Sequence, residues 1–145
     1  LVLTHLDREC QPLLRFRTGD LIRLGATDRC ACGRGAPRFQ IIGRTDDMIV
    51  VRGVNAFPSV VAAAINRCEE LNGEYRIRLP HPPPYDRLPL EVELADNNPL
   101  SDELSAQLSR RLSDTLRLGV LLTLLPGGAL GRNEGKTRRV IREYN

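Results

Sequence analysis

Residues 43–58 read GRTDDMIVVRGVNAFP and combine two glycine turns, paired acids and a short apolar run. The run from Met48 to Val51 lies between Gly43 and Gly53, which predicts a loop, a buried strand, a second loop and the start of a helix. Charged side chains are concentrated in both loops, and polar groups that a rigid strand holds on a turn commonly carry function. We therefore expect functional residues at both ends of this strand.

The composition is that of a globular protein of 145 residues with 41% apolar and 27% charged residues. Such a chain can bury one ordinary core or two small ones. The longest apolar stretch, near residues 118–125, is far shorter than the ~20 residues of a membrane-spanning helix, so we expect no membrane partner. The net charge of +3 suits an anionic nucleotide or CoA and is weak evidence for nucleic acid.

The spacing of apolar residues divides the chain into two parts. Residues 1–45 form a β-rich part with short strands predicted at 1–3, 13–17, 21–24 and 39–42. Residues 46–145 predict a β-α-β-β-α-β succession with strands at 48–51, 75–79, 90–94 and 120–125 and helices at 58–68 and 102–116. The fold class is therefore α+β.

The second predicted helix has the clearest signals. Ser101 can cap its N-terminus, and acidic residues in its first turn favour the positive end of the helix dipole. A leucine stripe then recurs every four residues and must be buried: Leu104, Leu108, Leu112 and Leu116. Such stripes belong to a core rather than to a cofactor site.

Two motifs place charged groups on glycine turns. A strand that runs into Thr18-Gly19-Asp20 leaves a carboxylate at its end, which can accept hydrogen bonds from ribose hydroxyls or can simply close a turn. Arg44 carries a planar charge that can bind a phosphate or a ribose oxygen in two-pronged fashion, or can form a surface ion pair with Asp46 or Asp47.

A third motif, Gly131-Arg132-Asn133-Glu134-Gly135-Lys136, lies near the end of the chain. A lysine directly after a glycine can reach out as a compact charge toward a developing oxyanion, although basic runs near a terminus are more often solvated. The segment is not a phosphate-binding loop of the Walker type, because Leu130 stands where that loop needs its first glycine.

Cys30 and Cys32 are the one close pair among four cysteines and could supply half of a zinc site. Within this chain the other candidate ligands are Cys10, Cys68, His5 and His81, and none has the usual paired spacing. The alternative is that both are reduced thiols on a surface loop.

These motifs together resemble those of the phenylacetate-CoA ligase family, a branch of the acyl-adenylate-forming enzymes. Residues 43–58 are similar to a Gly-Arg-x-Asp-Asp-Met segment followed by Arg-Gly-Val-Asn and Phe-Pro-Ser. The segment ending in Asp20 is similar to Tyr-Arg-Thr-Gly-Asp, with Phe16 in place of the tyrosine. The last motif is similar to Arg-Ser-Glu-Gly-Lys-Ala-Lys-Arg-Val, with Gly131, Asn133 and Thr137 as departures.

The resemblance implies a role for each matched residue. Asp20 is implied to bind the ATP ribose, Arg44 to contact the nucleotide, and Asp46 to be the hinge of a rotating C-terminal domain. Gly53 is implied to let the pantetheine arm of CoA pass, and Lys136 to stabilise the adenylation transition state. Family members also show a similar Cys-x-Cys-Gly, for which zinc partners would come from outside this chain.

The resemblance further implies a C-terminal portion of a cytoplasmic, ATP-, Mg²⁺- and CoA-dependent ligase of a carboxylic acid. Residues 1–45 would be the end of the large N-terminal domain, and residues 46–145 the mobile lid domain that carries the catalytic lysine. Because the phosphate loop and acyl pocket of such ligases lie upstream, we expect the chain alone to be inactive. The competing interpretation is a small RNA-binding or assembly module without catalysis, for which the four strands predicted within residues 46–145 offer a single aromatic residue, Tyr75.

Overall fold

The computed structural model describes residues 1–96, 98–131 and 139–144. The chain divides into two compact units, Leu1–Met48 and Ile49–Asn145. The first unit consists of short strands and loops, whereas the second holds two described helices and a four-stranded sheet. This mixed content confirms the predicted α+β fold class.

Two antiparallel strand pairs form the first unit. β1 (Val2–Leu3) pairs with β2 (Phe16–Arg17), and β3 (Asp20–Leu24) pairs with β4 (Phe39–Arg44). All four strands expected from the sequence are present, and only the second pair is longer than predicted. Its register places the first residue of β3 opposite the last residue of β4, which brings two predicted site residues face to face.

The second unit opens with a hairpin of β5 (Ile49–Val51) and β6 (Val54–Ala56). Its two turn residues, Arg52 and Gly53, have φ angles of 47° and 80°. A two-residue turn with positive φ at both positions matches the right-handed twist of paired strands. The predicted strand at 48–51 is therefore one arm of a hairpin outside the main sheet. The β-α-β-β-α-β succession predicted for residues 46–145 is present, with β6 as an added strand.

The first helix, α1, spans Pro58–Ile65 and starts with proline at its first position, where a missing N–H costs nothing. The helix ends three residues earlier than predicted, because Asn66 caps it and the chain then tightens through Arg67 and Cys68. Cys68 lies beyond the end of the helix and is nevertheless buried.

A mixed sheet with strand order β10-β7-β8-β9 forms the centre of the second unit. Its strands are β7 (Leu71–Leu79), β8 (Leu88–Leu94), β9 (Val120–Leu125) and β10 (Val140–Arg142). β7 and β8 are antiparallel, and the connection between them contains the exposed run of three prolines at 82–84. β9 is parallel to β8, and β10 is parallel to β7. β10 was not predicted.

The second helix, α2, spans Asp102–Leu116, as predicted. The Ser101 hydroxyl accepts a hydrogen bond from the Leu104 backbone N–H at 3.2 Å, which is the expected N-cap. The leucine stripe packs into the core, with Leu108 and Leu112 fully buried and its two outer members partly buried.

Both helices cover the same face of the sheet, so the core lies between them and the inward side chains of the strands. Alternate residues of β7 and β8 point into it, including Ile77, Leu79, Leu90 and Val92, each at most 1% exposed. In the described part of the chain, no helix is long and apolar enough to cross a membrane.

Candidate functional site

The clearest cluster of predicted site residues lies in the first unit, around Arg44. Its guanidinium forms a bidentate ion pair with the carboxylate of Asp46, in which Nε donates to Oδ1 at 3.0 Å and Nη2 donates to Oδ2 at 2.9 Å. The pKa of Arg44 is raised chiefly by its hydrogen bonds to Asp46 and by the negative charge of that residue. The charges of Asp20 and Asp47 raise it further. Arg44 is therefore a fixed positive charge held by acids on its own loop.

The same guanidinium reaches the carboxylate of Asp20 across the strand pair. Nη1 of Arg44 donates to Oδ1 of Asp20 at 3.2 Å and to the backbone carbonyl of Thr18 at 3.2 Å. The structure thus joins through one side chain the residues that the resemblance assigns to ribose binding, nucleotide contact and the hinge. With the Arg44 side chain 46% exposed and that of Asp46 61% exposed, the cluster is open at the surface.

Backbone geometry explains how the two loops come together. Gly19 has φ of +79°, and a Cβ at this position would lie 3.1 Å from Nη2 of Arg44. The Thr45 backbone N–H and hydroxyl both donate to the Gly19 carbonyl, at 2.8 and 3.1 Å. The positive φ favours glycine at position 19, and a side chain there would press against the end of the Arg44 side chain.

Gly53, the predicted CoA-channel residue, lies at the tip of the β5–β6 hairpin in the second unit. A Cβ built there would have no heavy atom within 4 Å, so the space beside the residue is open. Its neighbour Arg52 is tied back to the unit, because its Nε donates to Asp86 at 3.1 Å and its backbone N–H donates to the Tyr85 carbonyl. The turn is thus held through Arg52.

Lys136, the predicted catalytic lysine, lies outside the described residues. The chain is described up to Gly131 and again from Arg139, and both of these residues contact β7. Its predicted role stays a prediction.

Cys30 and Cys32 lie on an exposed turn in which the Gly33 N–H donates to the Cys30 carbonyl at 2.8 Å. Hydrogen bonds from the backbone and then the side chain of Cys32 lower the pKa of the Cys30 thiol. Among the described residues, no third His, Cys, Asp or Glu completes a metal site with this pair. Of the other candidates, Cys68 is buried in the second unit's core, and His5 accepts a hydrogen bond from Leu13, so the donor set does not support zinc within the described chain.

The sheet face away from the helices lacks the aromatic platform of an RNA-binding sheet. Tyr75, the only aromatic residue in the four strands of the sheet, is 3% exposed, and its hydroxyl donates to the Pro58 carbonyl at 2.7 Å. Its ring therefore faces the core and cannot stack on a base. A cavity of about 480 Å³ opens on this outer face, lined in part by Arg78, Tyr85 and Leu121.

Comparisons with known proteins agree with the motifs. The family model for the AMP-binding enzyme C-terminal domain matches residues 53–143. A phenylacetate-coenzyme A ligase of Thermus thermophilus is 37% identical over 97% of this chain and 36% of its own length. The phenylacetate-coenzyme A ligase of Escherichia coli is 33% identical over 97% of this chain and 33% of its own length.

Solved structures give the same result. A 2-hydroxyisobutyryl-CoA ligase in the postadenylation state with 2-HIB-AMP matches 97% of this chain and 31% of its own, with a TM-score of 0.86 and 34% identity. An open conformation of that ligase, with 2-HIB-AMP and CoA, matches over the same shares with a TM-score of 0.62.

The fold and these matches define a domain of the adenylate-forming CoA ligases. The chain belongs to the AMP-binding enzyme C-terminal domain family, and its relatives within that family are phenylacetate-CoA ligases, as the motifs predict. It spans about a third of the length of the curated relatives that it matches.

Sequence reasoning missed Glu93, the buried charged residue of the described chain. Alternation along β8 places it on the outer face, where a glutamate is ordinarily solvated. No local signal in the sequence shows that a later loop covers it.

Proposed function

We propose that this chain is the C-terminal portion of an AMP-forming aryl- or acyl-CoA ligase. In the intact enzyme a carboxylate attacks the α-phosphorus of Mg²⁺-bound ATP, giving an acyl-adenylate and pyrophosphate. The sulfur of CoA then attacks the acyl carbonyl, giving a thioester and AMP while the thiol proton is lost. The small-molecule acid, ATP and CoA are its partners, and the acid's identity is set by upstream residues.

One observation carries this proposal. A single guanidinium, that of Arg44, joins Asp20 and Asp46 in a chain similar to CoA ligases over 97% of its length. The three residues that the resemblance assigns to ribose binding, nucleotide contact and the hinge thus meet at one exposed point. An ordinary surface ion pair joins two side chains. Here the Arg44 guanidinium contacts the carboxylates of Asp20 and Asp46 and also lies close to the backbone of Gly19.

The exposure of the first unit supports the same proposal. None of its residues is buried, although the structure describes every residue from 1 to 48. Eight of its large apolar side chains are well exposed: Val2, Leu3, Leu6, Leu14, Phe16, Leu24, Phe39 and Ile41. An exposed apolar surface of this kind marks an interaction site, and we propose that the remainder of a large N-terminal domain covers it.

The proposed residue roles follow from charge and position. Asp20 accepts hydrogen bonds from the ribose hydroxyls, while Arg44 neutralises the nucleotide. Lys136 offsets the negative charge that spreads over the five-coordinate phosphorus in the first step. Rotation about Asp46 would then withdraw that lysine and admit the CoA thiol past Gly53, so one small domain serves both half-reactions.

A chimera tests the proposal. The region of the Thermus thermophilus ligase that this chain matches is replaced by this chain, and acid-dependent ATP–pyrophosphate exchange is measured. We expect the chimera to exchange pyrophosphate and to form a CoA thioester, and the chain alone to do neither. A folded chimera without acid-dependent exchange, or turnover by the chain alone, contradicts the proposal.

A further inference from the structure

Glu93 lies on β8 with its side chain on the sheet face opposite the helices, and it is 3% exposed. Burial of a carboxylate is expensive unless hydrogen bonds replace its lost water. A carboxylate buried at such a place therefore needs hydrogen-bond donors around it.

The carboxylate of Glu93 binds the loop that follows β9. Oε2 accepts hydrogen bonds from the Gly128 backbone N–H at 3.0 Å and from the Asn72 side-chain amide at 2.8 Å. Oε1 accepts a hydrogen bond from the Leu130 backbone N–H. Two alternate amides of one loop are thus held by the two oxygens of one side chain.

Arg76, on β7, binds the next peptide group along the same loop. Its Nη2 donates to the carbonyl of Leu130 and, at 3.4 Å, to the carbonyl of Gly131. The Leu130 side chain is itself 6% exposed. Glu93 therefore accepts a hydrogen bond from the N–H of Leu130, and Arg76, on the neighbouring strand, donates one to its C=O. We call Glu93 and Arg76 the loop clamp.

The chain returns to the same strand at Arg139. The Ile77 backbone N–H donates to the Arg139 carbonyl at 2.8 Å, and the Arg139 guanidinium binds Glu74 at 2.7 and 3.3 Å. Gly131 and Arg139 are thus attached to consecutive residues of β7. The two described residues that flank the segment containing Lys136 are therefore both attached to β7.

We propose that Glu93 and Arg76 are positioning residues for the adenylation half-reaction. This rests on the proposed function: the clamp fixes the point from which the segment bearing Lys136 departs, and thereby where its ammonium group can reach. A lysine has a long, flexible side chain, so its delivery depends on where its backbone is anchored. A misplacement of about 1 Å at a reacting group can cost about 100-fold in rate.

The test uses Glu93→Gln and Arg76→Gln in the chimera, and the same substitutions in the 145-residue chain. Glutamine preserves the size of Glu93 but presents an amide donor to a backbone N–H, so one arm of the clamp is lost. Glu91→Gln is the matched control, since Glu91 lies two residues earlier on the same strand and face and binds Arg78 instead. Both half-reactions are measured: ATP–pyrophosphate exchange, and thioester formation from supplied acyl-adenylate and CoA.

We expect each clamp variant to lower pyrophosphate exchange at least tenfold, with thioester formation and the KM for ATP within about threefold of the parent chimera. The control should stay within twofold in both half-reactions. In the isolated chain, hydrogen exchange at the Gly128 and Leu130 amides should accelerate at least tenfold in Glu93→Gln, while the Ile77 and Val92 amides remain protected.

Unchanged pyrophosphate exchange in both clamp variants overturns the proposal, and so does unchanged protection of Gly128 and Leu130. Equal losses in both half-reactions also overturn it, provided that Arg76→Gln is folded, because a merely structural role predicts that result. An inactive parent chimera would instead count against the proposed function, and the hydrogen-exchange arm would still decide whether the clamp holds the loop.

Discussion

Arg44 binds both carboxylate oxygens of Asp46 at 3.0 and 2.9 Å while the same guanidinium contacts Asp20 at 3.2 Å. The arginine is thus oriented by a predicted hinge residue and a predicted ribose ligand at once. The planar guanidinium can donate hydrogen bonds to both carboxylates in fixed directions, whereas a lysine ammonium is a point charge without that geometry.

We therefore expect Arg44→Lys to lower pyrophosphate exchange by the chimera at least tenfold, although the charge is kept. Stability should barely change, with a shift in Tm below about 3 °C, because the contacts are exposed and such ion pairs contribute little. Arg38→Lys is the control, since Arg38 forms an exposed ion pair with Asp28 in the same unit. Equal activity of the two variants would show that the Arg44 fork is dispensable.

Gly53 offers a test of the second half-reaction. Asparagine tolerates positive φ better than most residues, so Gly53→Asn should keep the hairpin turn while filling the open space beside it. We expect thioester formation from supplied acyl-adenylate to fall at least tenfold, with pyrophosphate exchange within about twofold. A variant that forms thioester at the parent rate would remove Gly53 from the proposed CoA path.

Ser101 provides a prediction about stability alone. Ser101→Ala removes the hydrogen bond to the Leu104 amide and should cost about 1 kcal/mol of unfolding free energy. Ser105→Ala, within the same helix, should be neutral or slightly stabilising because alanine is the better helix former. Urea denaturation of the 145-residue chain and its two variants measures both values, and equal midpoints would contradict the capping assignment.

The cysteines differ in their expected reactivity. Hydrogen bonds from Cys32 lower the pKa of Cys30, whereas burial raises the pKa of Cys68. Since the thiolate is the nucleophile, Cys30 should be alkylated by iodoacetamide well before Cys68, and its rate should level off at a lower pH. Mass spectrometry of the native chain between pH 6 and pH 9 gives both profiles. Alkylation of Cys68 as fast as Cys30 would contradict this order.

The elements with strong local signals were predictable from the sequence. α2 carries a cap, acidic first-turn residues and a leucine stripe, and its bounds match the prediction. Glycine turns likewise located the four strands of the first unit, because turn chemistry depends on nearby residues.

Features that depend on distant pairing were not predictable. β10 has three residues and exists because it pairs in parallel with β7, some sixty residues earlier in the chain. The strand at Ile49–Val51 has the pattern of a sheet member, yet its two-residue turn directs it into a hairpin. The burial of Glu93 arises only when the loop after β9 folds over the sheet.

The proposed adenylation chemistry depends most directly on Lys136. In the chimera, Lys136→Ala should lower acid-dependent pyrophosphate exchange at least 100-fold, because the charge that offsets the adenylation transition state is lost. Thioester formation from supplied acyl-adenylate and CoA should stay within about threefold of the parent, and Lys136→Arg should recover part of the exchange. Retention of full pyrophosphate exchange by Lys136→Ala would contradict the account and favour a binding or assembly role for this domain.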